Sequence, residues 1–275
     1  MYHFDELKSQ PSFGTLAIQK DFENMSWIIN SVSICLIMLS LLTGNVSGEE
    51  LDSLSVFKKI DQAYFERDLG DSLKKGEDLC EEALEKGFAK DEVLWRKARF
   101  KAWEGMMAKD YSGKLNFFKE AEESAKKAIE ANPGSIEGHF WLGVAFGRIG
   151  ETQGIFKSFS LIDPIRHEMD EVLKLNPNHP GAHHLLGVMY LKLPWFKGGS
   201  NTKSLEELQK SIELNHNNTL YHLDLAKTHL AMNHSSEAFK ELEQVRAITN
   251  PFDPVQAGLD KIDAERLERQ IQKEH

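Results

Sequence analysis

Gly138-His139-Phe140-Trp141-Leu142-Gly143-Val144-Ala145-Phe146 and Ala182-His183-His184-Leu185-Leu186-Gly187-Val188-Met189-Tyr190 are two versions of one pattern. In each, a leucine precedes a glycine and an aromatic follows three residues later. Gly143 and Gly187 stand 44 positions apart, and Leu175-Asn176-Pro177 closes the first unit. A pattern that returns at a fixed period marks an array whose units cannot bury their apolar faces alone. The fold class that follows is all-α, with helical hairpins stacked into a solenoid.

The same notch recurs on either side of this stretch. Ala98, Gly143, Gly187 and Ala226 share the eighth position of the repeat, where a small side chain lets a neighbouring helix approach. Phe146, Tyr190 and His229 supply a bulky residue three places on, with Lys101 the exception. The second helix of a unit needs small or apolar residues on one face and a proline after its end. Ala121, Ala125, Ala128 and Pro133 meet that need, as do Ala238, Leu242, Val245 and Asn250-Pro251. These positions resemble the tetratricopeptide repeat from about Leu54 to Arg246, and from Ala226 to Ala238 the spacing matches without an insertion.

A narrower resemblance lies inside that one. It rests on Leu94-Trp95-Arg96-Lys97-Ala98-Arg99, the run 125–130, His139 with Trp141, and Gly150 to Ile155. Leu175-Asn176-Pro177 and Pro194-Trp195 complete it. In this order they resemble the regulator-of-microtubule-dynamics family, and also bacterial helical-repeat proteins such as the soluble accessory components of tripartite transporters. The resemblance implies a fold. It carries function less well, because one fold hosts many functions.

Residues 1–24 are polar and lack a helical period, so they read as disordered, with Met25 an alternative start. Residues 25–48 hold an apolar run, Trp27 to Leu42, of a length that suits a signal-peptide core or a short membrane anchor. Either reading places the protein outside the cytoplasm or on a membrane: exported (periplasmic or extracytoplasmic), or tethered through Trp27–Leu42. Residues 51–250 form the repeat array, of about five hairpins, and 251–275 a capping helix. Connections of unusual length fall at 107–113, 151–163 and 194–200. Asp163-Pro164 reads as the cap and first residue of a helix, after a separate turn or two in 152–162.

A net charge of −10 with no basic stripe argues against nucleic acid and against anionic membrane surfaces. Two cysteines, Cys35 and Cys80, make no disulfide framework. His139, His183 and His222 share one repeat position and form a column by stacking. His179 and His183 have the helical spacing of a two-histidine metal site, but no further ligands accompany them, and neither metal nor cofactor is expected. Nothing resembles a catalytic motif: His167-Glu168 lacks a second zinc-binding histidine, and Gly198 to Ser204 lacks the glycine and strand of a phosphate loop. The protein reads as a non-enzyme.

The fifth and ninth positions of the first helices face the inner side of such an array. They hold Trp95, Phe140, His184 and Leu223, and Arg99, Val144, Val188 and Lys227. This gives a groove that is apolar in the middle with a cation at each end, suited to a protein or peptide segment. The alternative is that these residues are core. Trp195, in Pro194-Trp195-Phe196-Lys197-Gly198-Gly199-Ser200, either meets a partner or tucks against the array. The function expected is an adaptor that binds a protein or peptide in the groove. The rivals are a microtubule-associated regulator and a ligand-binding accessory protein of a transporter, which calls for an enclosed apolar cavity. The oligomeric state is left open.

Overall fold

A computed structural model describes residues 48–274, and the compact unit within it begins at Ser53. The polar stretch 1–24 and the apolar run Trp27–Leu42 lie outside the described residues. Helices pair as α1 (Gly48–Phe65) with α2 (Ser72–Glu85), α3 (Lys90–Met107) with α4 (Tyr111–Ala131), and α5 (Ile136–Gln153) with α6 (Ile155–Leu175). Then come α7 (Pro180–Lys192) with α8 (Asn201–Leu214), α9 (Thr219–Ala231) with α10 (Ser235–Ala247), and finally α11 (Pro254–Glu274). This is a tetratricopeptide-type solenoid. Successive first helices pack on one another along one side, α3 on α5, α5 on α7 and α7 on α9, while α11 covers α9 and α10 at the open end.

The helix starts follow from local chemistry. Asp110 accepts a hydrogen bond from the Gly113 amide at 2.9 Å, and Ser135 and Ser200 accept from the Gly138 and Lys203 amides. Each cap satisfies an amide that the helix itself leaves unpaired. His179 does the same through Nδ1, accepting from the Ala182 amide at 3.0 Å.

The notches receive the second helix of their own hairpin. A Cβ on Gly187 would stand 2.7 Å from Leu208 Cγ, and one on Gly143 would stand 2.5 Å from the tip of Met169. The close seam therefore lies within a unit. The largest apolar cluster gathers around it: Phe118 from α4, Ile149 from α5, Leu161, Ile165 and Met169 from α6, and Leu186 from α7.

The segment 151–163 differs from expectation. Helix fills it on both sides of Gly154, more than the turn or two expected, and Asp163-Pro164 starts nothing: Pro164 lies inside α6. The break falls at Gly154, whose φ of 90° closes α5 and opens α6 in one residue. Such a φ favours glycine because other residues would strain there. An interior proline forgoes a backbone hydrogen bond at a cost of about 3 kcal/mol. Here Leu161, Ile162, Ile165 and Met169 are all buried on one continuous stripe, and that burial outweighs the loss.

The histidine column is a row of polar latches. His139 Nδ1 lies 2.6 Å from Glu168 and its Nε2 lies 3.1 Å from the Pro133 carbonyl. His183 repeats this with Glu207 and the Pro177 carbonyl, and His222 with Glu241 and the His216 carbonyl. In every case the carboxylate comes from the second helix and the carbonyl from the turn before the first.

The array also closes on itself. Arg67, at the end of the first helix, bonds both oxygens of Asp253 at 2.9 and 2.8 Å. Phe65 meets Phe252 edge to face at 6.1 Å, and Val255 packs against the cluster built on Phe57 and Ile60.

Candidate partner-binding surface

The first helices pack on one another along one side, and the charges there are answered internally. Asp61 on α1 accepts from Arg96 at 3.1 and 2.9 Å and from Arg99 at 2.6 Å, both on α3. Burial alone would raise the Asp61 pKa, but the two guanidinium groups outweigh it and hold it below the usual carboxylate range. Both guanidinium groups also lie over aromatic faces: Arg96 4.1 Å from the Trp95 ring, Arg99 4.1 Å from Tyr64 and 5.1 Å from Trp95. Trp95 donates from Nε1 to Glu92 at 3.1 Å.

Two further groups continue the line. Glu137, at the start of α5, accepts from His179 across 3.2 Å. Burial opposes its ionisation, yet the His179 bond and the nearby Arg99 and Arg96 lower its pKa. On α9, Asp224 lies between two cation-forming partners, His184 at 2.8 Å and Lys227 at 2.7 Å. Burial would raise its pKa, but His184 and then Lys227 push it well below the carboxylate range. The His184 ring stacks on Tyr221 at 4.7 Å, and Phe140 lies 4.8 Å from the His179 ring.

These contacts redistribute the predicted groove residues. Trp95 is 5% exposed and Leu223 1% exposed; both are core, since their neighbours cover them, and neither has surface to offer. Arg99 is buried in its pairing with Asp61. Phe140 and His184 are half-buried, and Lys227 is exposed. The apolar middle flanked by cations is therefore replaced by a band of imidazoles, carboxylates and cations. His184 and Lys227 are brought together through Asp224, and Trp95 and Arg99 through a cation–π contact. Glu137, His179, Tyr221 and Asp224 belong to the band but sit at repeat positions that the groove pattern does not single out. The signal available for them was histidine and carboxylate on neighbouring first helices.

Trp195 stands apart from this band, 85% exposed in the 194–200 loop, so it does not tuck against the array. The two spaced histidines, His179 and His183, turn to different partners, Glu137 and Glu207. Among the described residues no group of three His, Cys, Asp or Glu side chains could hold a metal ion. Two depressions stand out there, one of about 350 Å³ beside His216 and Asn250 and one of about 290 Å³ beside Lys119 and Lys126; neither includes a predicted groove residue.

Comparison with known proteins decides kinship. A family profile described as Regulator of microtubule dynamics protein 1-3 matches residues 56–262. The chain belongs to the regulator of microtubule dynamics family. Regulator of microtubule dynamics protein 1 of Bos taurus is 28% identical over 38% of this chain and 35% of its own length. Regulator of microtubule dynamics protein 3 of Mus musculus is 28% identical over 36% of this chain and 21% of its own. The match thus spans about a third or less of these curated family members. A thermophilic tetratricopeptide-repeat protein of Thermus thermophilus superposes with a TM-score of 0.58 at 19% identity, covering 77% of this chain and 98% of that one; it supports the fold. Among the described residues no helix is long and apolar enough to cross a membrane, so the signal and anchor readings of residues 25–48 gain no support from them.

Proposed function

We propose that this family member is a non-enzymatic scaffold that holds a protein partner along the inner band of its array, with microtubule regulation as the specific role. The observation that carries this is the band itself. From Arg99 through Glu137 and His184 to Lys227, each charged group is already oriented by an internal bond. A surface ordered in advance loses little entropy on binding. Phe140, His184 and Lys227 are the contacts, while Trp95, Arg99 and Leu223 hold them from beneath. Trp195 belongs to a different edge.

The relatives named above are mammalian regulators of microtubule dynamics, which favours this role over that of a transporter accessory protein. The latter needs an enclosed ligand cavity, and neither depression lies in the band. The test is sedimentation of the full chain with polymerised tubulin at physiological salt. Pelleting that is lost in Lys227→Glu with helical content unchanged supports the role. A parent protein that stays in the supernatant defeats the microtubule reading. Cross-linking to a protein partner elsewhere than the band defeats the scaffold reading.

A further inference from the structure

Three large rings project into water at one edge: Phe156 is 88% exposed, Trp195 85% and Phe196 61%. Contiguous apolar exposure of this kind forgoes the burial that drives folding and marks a surface meant for something else. The rings form one group. Trp195 and Phe196 stand edge to face at 5.9 Å, and Phe196 meets Phe159 of α6 at 6.4 Å. Phe159 is rooted in the main apolar cluster, and Phe156 lies one turn before it on the same helix face.

The loop that carries Trp195 is held rigidly. The Gly199 amide donates to the Pro194 carbonyl and the Ser200 amide to the Tyr190 carbonyl, both at 3.0 Å. A Cβ on Gly199 would stand 1.7 Å from the Leu193 carbonyl oxygen, so the turn admits only glycine there. The backbone of the turn is thus set, and it presents Trp195 and Phe196 on the outside.

Their surroundings are cationic. From Gly154 to Arg166 and from Tyr190 to Lys203 the chain carries five cations and one carboxylate, Asp163, within a protein of net charge −10. Lys197 lies 5.2 Å from the Phe159 ring and Lys203 5.4 Å from the Tyr190 ring. Among the described residues Lys157, Lys197 and Lys203 have no carboxylate partner. Arg166 pairs with Asp163 at 3.4 Å, and Lys192 with Glu151. The overall acidity argues against anionic surfaces only at long range. Over the Debye length of about 8 Å in physiological salt, this local basic edge decides.

We propose that this edge docks on the surface of an anionic lipid bilayer, with Phe156, Trp195 and Phe196 entering the headgroup layer and the lysines held at its charged plane. Trp and Phe favour that interface, and flanking cations add attraction to anionic lipid. The rings project outward, and neither noted depression includes them. A patch of exposed rings flanked by lysines fits a deformable planar partner better than a peptide, which needs a groove.

The experiment is flotation of the full chain with vesicles of phosphatidylcholine alone and of phosphatidylcholine with phosphatidylserine. The comparison is between the parent, Phe156→Ala/Trp195→Ala, and Lys157→Glu/Lys197→Glu. Because all three carry the same N-terminal apolar run, only the differences between them are read. The expected result is salt-sensitive flotation with the anionic vesicles that falls at least about tenfold in both variants, with unchanged thermal melts. Quenching of tryptophan emission by brominated lipid should also drop in Trp195→Phe. Equal flotation of parent and variants, no preference for anionic vesicles, or binding of the edge to poly-glutamate but not to vesicles would each overturn the proposal.

Discussion

Arg67 and Asp253 are 186 positions apart, and their side chains meet at 2.8 Å. The Arg67 guanidinium is fully buried, between the Tyr64 ring at 4.2 Å and the Trp103 ring at 4.0 Å. A solenoid normally has two free ends. Here the turn that follows α1 is tied to the residues that open α11.

Removing one partner of such a pair leaves a buried charge without its counter-charge, a loss of about 3–5 kcal/mol. Asp253 also accepts from the Gln256 amide at 3.0 Å, so Asp253→Ala removes a helix cap worth about 1 kcal/mol as well. Asp253→Asn keeps a capping oxygen and removes the charge. Urea unfolding should show Asp253→Ala as the more destabilised variant, with the two differing by roughly the cap. A loss no larger than the cap in Asp253→Ala would mean that the ends hold together without the pair.

Two helical glycines separate packing from propensity. Gly187→Ala places a methyl 2.7 Å from Leu208 Cγ and 3.3 Å from the Leu208 amide nitrogen. Backbone cannot yield as a flexible side chain does, so overpacking of about 1–3 kcal/mol should exceed the gain in helix propensity. Gly147→Ala meets nothing nearer than 4.0 Å and should stabilise by about 0.5–1 kcal/mol. Thermal melts of the two variants should therefore move in opposite directions, and movement in the same direction would refute the notch argument.

That notch is also what made the fold legible. Gly143, Gly187 and their alanine counterparts carry a steric requirement that sequence displays directly, so hairpins and period could be read without coordinates. The inner surface could not be read the same way. Whether Trp95 faces water depends on α1 and α3 approaching until Asp61 reaches Arg96 and Arg99, and Leu223 is closed off by Leu242 of α10 and by Ala264 and Ile271 of α11; these are contacts with no periodic signature. Pro164 misled for a related reason. Its local preference for a helix start was overridden by the buried stripe on either side of it.

Titration should expose one buried carboxyl. Asp260 is 1% exposed and accepts from Thr219 Oγ1 and Gln256 Nε2, both at 2.7 Å. Burial pushes its pKa up to about 6, against about 3.9 in the unfolded chain. Between those values the folded state holds the extra proton, so this group lowers stability as pH rises from about 4 to about 6, by up to roughly 3 kcal/mol. The Glu207 bond raises the His183 pKa, and the stability it adds is full below about 6.5 and lost as pH rises through the folded value. Asp224, held low, works the other way: the stability it adds is full above about 3.9 and is lost as pH falls from there toward its depressed folded value. Subtracting the Asp260→Asn stability curve from that of the parent should leave a slope confined to the window between about 4 and 6. A flat difference would show that Asp260 titrates normally.

Core and contact residues of the inner band should separate under mutation. Trp95 stacks on two guanidinium groups and is closed off from solvent, so Trp95→Ala should cost about 3–5 kcal/mol and reduce binding only through loss of fold. Phe140 is half-open, yet its ring lies 2.7 Å from where a Gly181 Cβ would stand, so Phe140→Ala should show a smaller loss of stability. Lys227 touches the rest of the protein chiefly through Asp224, and Lys227→Glu places two carboxylates where one was neutralised. His184 remains to pair Asp224, so the melt should shift by little while partner affinity falls. Measuring melting temperature and binding on the same three samples decides the matter. If Lys227→Glu binds as the parent does while Trp95→Ala loses binding without losing stability, the buried floor rather than the charged band meets the partner.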